Sequence, residues 1–179
     1  MDPIFSVGLS FLLGVGLGDG LSAGLNLRLG VQLQWLDVGL EARATMPERV
    51  TARGPLDPAY PASPRELDIS QVSVLFAPCA RFAAYFAACP LARAGIVIAT
   101  PATNETAILV SPSFGARFMV ERGLDDTFAL FAFGEGLFGS GVIYAPRDPG
   151  PAGQIAPNVV WQESPASAYV AGGVLARFQ

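Results

Sequence analysis

From Leu25 to Trp35, large apolar residues occupy every second position: Leu25, Leu27, Leu29, Val31, Leu33 and Trp35 alternate with Asn26, Arg28, Gly30, Gln32 and Gln34. Successive side chains of a β-strand point to opposite faces, so this stretch sets a continuous apolar row against a polar row, whereas a helix would mix the two sets. Its length matches the ~9–11 residues of a tilted strand that crosses a bilayer.

The same period recurs along the chain. Upstream, Phe5, Val7, Leu9, Phe11, Leu13, Val15 and Leu17 stand against Ser6, Gly8, Ser10, Leu12, Gly14 and Gly16. After a tight turn expected near Leu36 and Asp37, Val38, Leu40, Ala42, Ala44 and Met46 oppose Gly39, Glu41, Arg43 and Thr45. The segment from Pro47 to Asp68 holds four further prolines and reads as an irregular surface loop. A fourth strand, Ser70 to Phe82, sets Val72, Val74, Phe76, Pro78, Ala80 and Phe82 against Gln71, Ser73, Leu75, Ala77, Cys79 and Arg81. Its partner, starting near Ala88, sets Ala92, Ala94, Ile96 and Ile98 against Cys89, Leu91, Arg93 and Gly95. A loop with Pro101, Asn104 and Glu105 leads to a sixth strand with Ile108, Val110, Pro112, Phe114, Ala116, Phe118 and Val120 on one face and Ser111, Ser113, Gly115, Arg117 and Glu121 on the other.

Asp125 and Asp126 supply the turn into a seventh strand, Phe128 to about Tyr144, where Phe131, Phe133 and Glu135 share a face. A second loop rich in Pro and Gly, Pro146 to Pro165, precedes the last strand, in which Ala168, Val170, Gly172, Val174, Ala176 and Phe178 oppose Tyr169, Ala171, Gly173, Leu175 and Arg177. Pro78, Pro90 and Pro112 lie inside these strands, each at the expense of a ladder hydrogen bond unless it sits at a strand end or a bulge. Pro112 calls for a bulge in the sixth strand.

Composition decides where the apolar rows point. Hydrophobic residues make up 51% of the 179 and charged residues 15%, against about 25% charged in an ordinary soluble domain, and mean hydropathy is +0.44. No run supplies the ~20 apolar residues of a spanning helix. A bilayer otherwise admits only closed barrels, because every backbone N–H and C=O must be paired within the protein. The expected fold is therefore all-β, a closed antiparallel up-and-down transmembrane barrel of about eight strands, occupying residues 1–179 as a single domain. Long loops after the third and seventh strands gather at one rim, and short turns at the other.

The net charge of −4 and the pI of about 4.7 argue against a nucleic-acid partner. All 11 basic residues are Arg, a bias that a GC-rich genome produces without any functional cause. The chain has no His, hence no usual general base and not the commonest metal ligand, so neither an enzyme nor a cofactor is expected. The glycines of Gly14-Val15-Gly16-Leu17-Gly18 and Gly134-Glu135-Gly136 precede no helical pattern and do not read as nucleotide loops. Met1-Asp2-Pro3-Ile4-Phe5 lacks a basic stretch and a cleavage site. Either a leader has been removed or Met1 is an internal start.

With Leu25 to Trp35, the Cys79/Cys89 hairpin and the C-terminal strand Ala168 to Gln179, the chain resembles the small outer-membrane β-barrel proteins of Gram-negative bacteria. These are the eight-stranded class of outer-membrane protein A, and the chain looks most like uncharacterised barrels of myxobacteria. The resemblance implies an outer-membrane location, lipid as the surrounding partner, and recognition of the last strand by the barrel-insertion machinery. In the family that strand ends on an aromatic residue, whereas here Gln179 follows Phe178. A monomer is expected.

Cys79 and Cys89, ten residues apart about a turn near Ala84, fall opposite each other on the lumen face, which suits a disulfide in an oxidising compartment. Buried free thiols and redox or metal chemistry are the alternatives. Arg28, Glu41, Arg43, Arg81, Arg93, Arg117, Glu121, Glu135 and Arg177 all fall on the inner face. Eight strands leave room only for side chains, so these charges form a plugging network or, alternatively, line a narrow pore or ligand path. Glu41 and Glu135 resemble a glycosidase acid–base pair, but neighbouring arginines keep both ionised.

The functional expectation is an integral outer-membrane barrel with a structural or surface-interaction role through its long loops. The rival is a soluble lipocalin-like barrel binding a small apolar ligand, which requires Arg28, Gln32 and Gln34 outside and the leucines lining a cavity.

Overall fold

A computed structural model describes residues 2–16, 20–52, 65–101, 107–139, 142–145, 158–162 and 164–178. Among them are the strands β1 (Ile4–Val15), β2 (Leu21–Leu33), β3 (Leu36–Thr45), β4 (Glu48–Ala52), β5 (Arg65–Ala83), β6 (Phe86–Pro101), β7 (Ala107–Gly123), β8 (Phe128–Gly139), β9 (Val142–Ala145), β10 (Asn158–Gln162) and β11 (Ala166–Phe178). Eight of these close a barrel in the order β1, β2, β3, β5, β6, β7, β8, β11 and back to β1, with every pairing antiparallel. Closure leaves the eight barrel strands without an unpaired edge, as an apolar outer surface requires.

The registers fix the dimensions. A walk from partner to partner, from Ile4 through Gln32, Asp37, Cys79, Cys89, Arg117, Glu135 and Tyr169, returns to β1 at Gly14, ten residues beyond its start. With ordinary strand spacings, this stagger over eight strands gives a tilt of about 40° and a wall radius of about 8 Å. Such a lumen is filled by side chains.

Alternation places the faces as the sequence implied. On β2, Leu25, Leu27 and Leu29 are about half exposed, while Asn26 and Arg28 are buried. On β8, Phe131, Phe133 and Glu135 do share the inner face, and the outer face carries Phe128, Leu130, Ala132 and Gly134.

Four local expectations need correcting. The second turn lies at Gln34 and Trp35, not at Leu36 and Asp37, with Leu33 paired to Leu36 and Gln34 at a φ of 53°. The positive φ suits a two-residue hairpin, and the apolar–polar alternation continues as far as Trp35 and breaks only at Leu36, so the pattern places the reversal two residues late. Both presumed irregular loops contain strand: β4 pairs with the start of β5, and β9 with β10. The seventh strand accordingly divides into β8 and β9, and Pro101 ends β6. Residues 53–64, 102–106 and 146–157, and Leu17, lie outside the described residues.

The fourth correction concerns the prolines. No bulge occurs at Pro112: the β6–β7 register runs through it unbroken, and the β7–β8 ladder starts only at the next residue, Ser113. Pro78 and Pro90 face each other across the β5–β6 hairpin, where the ladder is interrupted between the pairs Phe76–Ala92 and Ala80–Ala88. The two missing donors fall on a single interruption.

Candidate functional site

The β5–β6 interruption is bridged covalently. Cys79 and Cys89 form a disulfide with their Cα atoms 4.1 Å apart, and both are buried on the lumen face. Closing so short a loop stabilises the fold by roughly 2–3 kcal/mol.

At mid-height the lumen holds an ionic cluster. The β2–β3 ladder sets Arg28 opposite Glu41, and the β7–β8 ladder sets Arg117 opposite Glu135. Arg28 donates at 2.9 Å to both Glu41 and Asp37. Arg117 reaches across the lumen and grips both oxygens of Glu41, donating to Oε2 at 2.8 Å, while its Nε and Nη2 donate to Glu135 at 2.9 and 2.7 Å. Arg43 crosses in the same way to both oxygens of Glu135 and also donates to Glu41 at 3.1 Å. Its Nε donates to Asn26, whose amide nitrogen donates to Ser10. Three guanidinium groups thus meet three carboxylates, each nine-tenths or more buried. Burying charge is tolerable only where it is balanced and its hydrogen-bonding capacity is filled. Phe133 supports the cluster with its ring face, 3.9 Å from the Arg117 guanidinium carbon.

Two glycines make room for luminal side chains, Gly39 for Arg28 of the cluster and Gly14 for Tyr169. A Cβ on Gly39 would stand 2.7 Å from the Arg28 guanidinium carbon, and one on Gly14 would overlap the Tyr169 ring. The second is a close approach of the kind that strand glycines often mark.

Below the cluster the lumen turns apolar. On β7 Met119 separates Arg117 from Glu121, on β8 Phe131 and Phe133 lie below Glu135, and on β11 Leu175 lies above Arg177. With the disulfide and Ala87 they belong to the part of the buried apolar cluster nearest the tight turns. Beneath it, at the rim of the tight turns, Arg81 and Arg177 both pair with Glu121. On the side toward the long loops, Arg93 donates to Ser113 at 2.6 Å and to Gln71 at 3.0 Å.

The nine charged residues read from the sequence as luminal all lie on the inner face, with contacts among them falling around Glu41 and Glu135 and the pairs of Glu121 lying at the tight-turn rim. Asp37 was missed because the turn was set two residues too late. The cross-lumen pairs Arg43–Glu135 and Arg117–Glu41 depend on the stagger and carried no local signal. Because Arg28 is buried and Leu25, Leu27 and Leu29 are exposed, the lipocalin-like alternative, with leucines lining a cavity, is ruled out.

The sequence matches no protein-family profile and no curated protein. Among solved structures the fold is similar to that of Ail, the attachment invasion locus protein of Yersinia pestis, with a TM-score of 0.54 at 16% identity over 99% of this chain and 100% of that one. It is also similar to Neisserial surface protein A, with a TM-score of 0.56 at 11% identity over 98% of this chain and 97% of that one. The chain is thus a closed, eight-stranded antiparallel barrel of the same fold as these two.

Proposed function

We propose that this chain is an integral outer-membrane barrel of the outer-membrane protein A class, non-enzymatic, with a structural or surface-interaction role carried by its long loops. The observation that carries the reading is the inversion of its faces. Leu9, Leu27, Leu40, Val74, Ile96 and Phe114 stand exposed around the outside, while arginines and carboxylates fill the inside. Water would penalise that surface heavily, and a bilayer rewards it. At the tight-turn rim Phe82, Phe86 and Phe118 stack outward with centroids 5.6–6.1 Å apart, beside exposed Tyr85 and, at the neighbouring turn, Trp35. Aromatic residues of this kind prefer the membrane–water interface. The likeness to one protein named for attachment and invasion and another named as a surface protein supports the surface role.

Two stacked obstacles support a closed lumen: the balanced cluster around Glu41 and Glu135, and the apolar layer of Met119, Phe131 and Leu175. The purified barrel inserted into planar bilayers is expected to give no conductance steps above the bare bilayer. Reproducible single-channel steps from the full chain would overturn the plug in favour of the narrow pore.

A further inference from the structure

We infer that the Cys79–Cys89 bond is made on the unfolded chain, before the barrel closes, so that this protein is the substrate of a thiol-oxidising reaction that precedes its own folding. Both cysteines face the lumen and are almost wholly buried, at 0% and 2% exposure. Across the ladders, Cys79 stands beside Asp37 and Cys89 beside Arg117. The ionic cluster closes the lumen above them. The pairs of Glu121 with Arg81 and Arg177 close it below, and Ala87, Met119, Phe131 and Leu175 fill the space between. The outer side of the wall at this level is Pro78, Ala80, Ala88 and Pro90.

The chemistry needs more access than this. One cysteine thiolate attacks a disulfide of the oxidant, forming a mixed disulfide and expelling the oxidant's other sulfur as a thiolate. The second cysteine thiolate then attacks the mixed disulfide, closing the Cys79–Cys89 bond and releasing the oxidant as a dithiol. Two electrons and two protons leave the chain, and each attack requires sulfur to approach sulfur in line. A disulfide-bearing oxidant has no such path to either Sγ in the closed barrel. In the open chain the two cysteines are only ten residues apart, so their encounter is fast and its entropic cost small.

The interrupted ladder gives the order a structural purpose. Where Pro78 and Pro90 withhold backbone donors, the reduced hairpin has no ladder pairs between Phe76–Ala92 and Ala80–Ala88. An oxidised hairpin arrives at closure already joined there.

The experiment compares the full chain unfolded in urea with the same chain folded in detergent micelles. Reduced barrel is given oxidised glutathione, oxidised barrel is given dithiothreitol, and free thiols are counted with a polyethylene-glycol maleimide after denaturation. Both reactions are expected to run roughly 100-fold or more slower in the folded barrel, because exchange must wait for the wall to open. Failure of the reduced chain to fold at all would equally support oxidation before closure, and the dithiothreitol arm still yields the ratio. Folded and unfolded rates within about tenfold of each other in either direction would overturn the inference.

Discussion

Leu27→Arg is expected to cost the inserted barrel about 2–4 kcal/mol and to leave most of the chain unfolded when it is presented to lipid vesicles. Leu27 is about half exposed on the outer face of β2, in the row it forms with Leu9 of β1, Ala42 of β3 and Val74 of β5. That row lies near mid-height, where an arginine is farthest from either interface and cannot extend its guanidinium into water. The penalty falls with depth, so an arginine at Phe82, beside the tight turn, is expected to cost no more than about 1 kcal/mol in transfer. The readout is the folded fraction in a urea series, scored by the mobility difference between heated and unheated samples. Equal costs at both sites would mean that the apolar belt does not sit in hydrocarbon.

Glu41→Ala attacks the opposite face. Glu41 accepts hydrogen bonds from Arg28, Arg43 and Arg117 and is 1% exposed. Its removal leaves three buried guanidinium groups facing two carboxylates, Asp37 and Glu135. Breaking one partner from a buried ionic group costs about 3–5 kcal/mol, because the charge left behind stays desolvated. The urea midpoint in micelles is expected to fall by a corresponding amount, with the slope of the transition unchanged. Arg81→Ala serves as a contrast. Arg81 lies at the rim with its side chain 12% exposed, and its partner Glu121 keeps Arg177, so the loss should be markedly smaller. A Glu41→Ala barrel as stable as the parent would show that the cluster does not hold the lumen together.

These two sites show what the sequence made legible. Period two is a local property, and one polar row such as Asn26, Arg28 and Gly30 orients an entire strand, so the faces of β1, β2, β3, β5, β7 and β11 followed directly. Hairpin register is also nearly local. Once a turn near Ala84 was assumed, Cys79 and Cys89 had to meet. Where the turn was misplaced, at Gln34 and Trp35, the face of each residue survived, but the luminal partner Asp37 was lost. The strands β4 and β10 were not legible because each is only five residues long, too short for a clear period of two, and lies in a proline-rich stretch that reads as loop. The contacts of Arg43 with Glu135 and of Arg117 with Glu41 were illegible for a different reason. They join residues 92 and 76 apart through the curvature and stagger of the closed sheet, which no single segment encodes.

The most direct test of a barrel with its apolar face in lipid is to dilute the urea-unfolded full chain into plain buffer and, in parallel, into buffer with phosphatidylcholine vesicles. The expected result is a folded, heat-modifiable species only where vesicles are present, sedimenting with them and resisting alkaline carbonate. A monomeric, folded chain in plain buffer would contradict the account, because the exposed rows of Leu, Val, Ile and Phe could then not be the surface that meets a membrane.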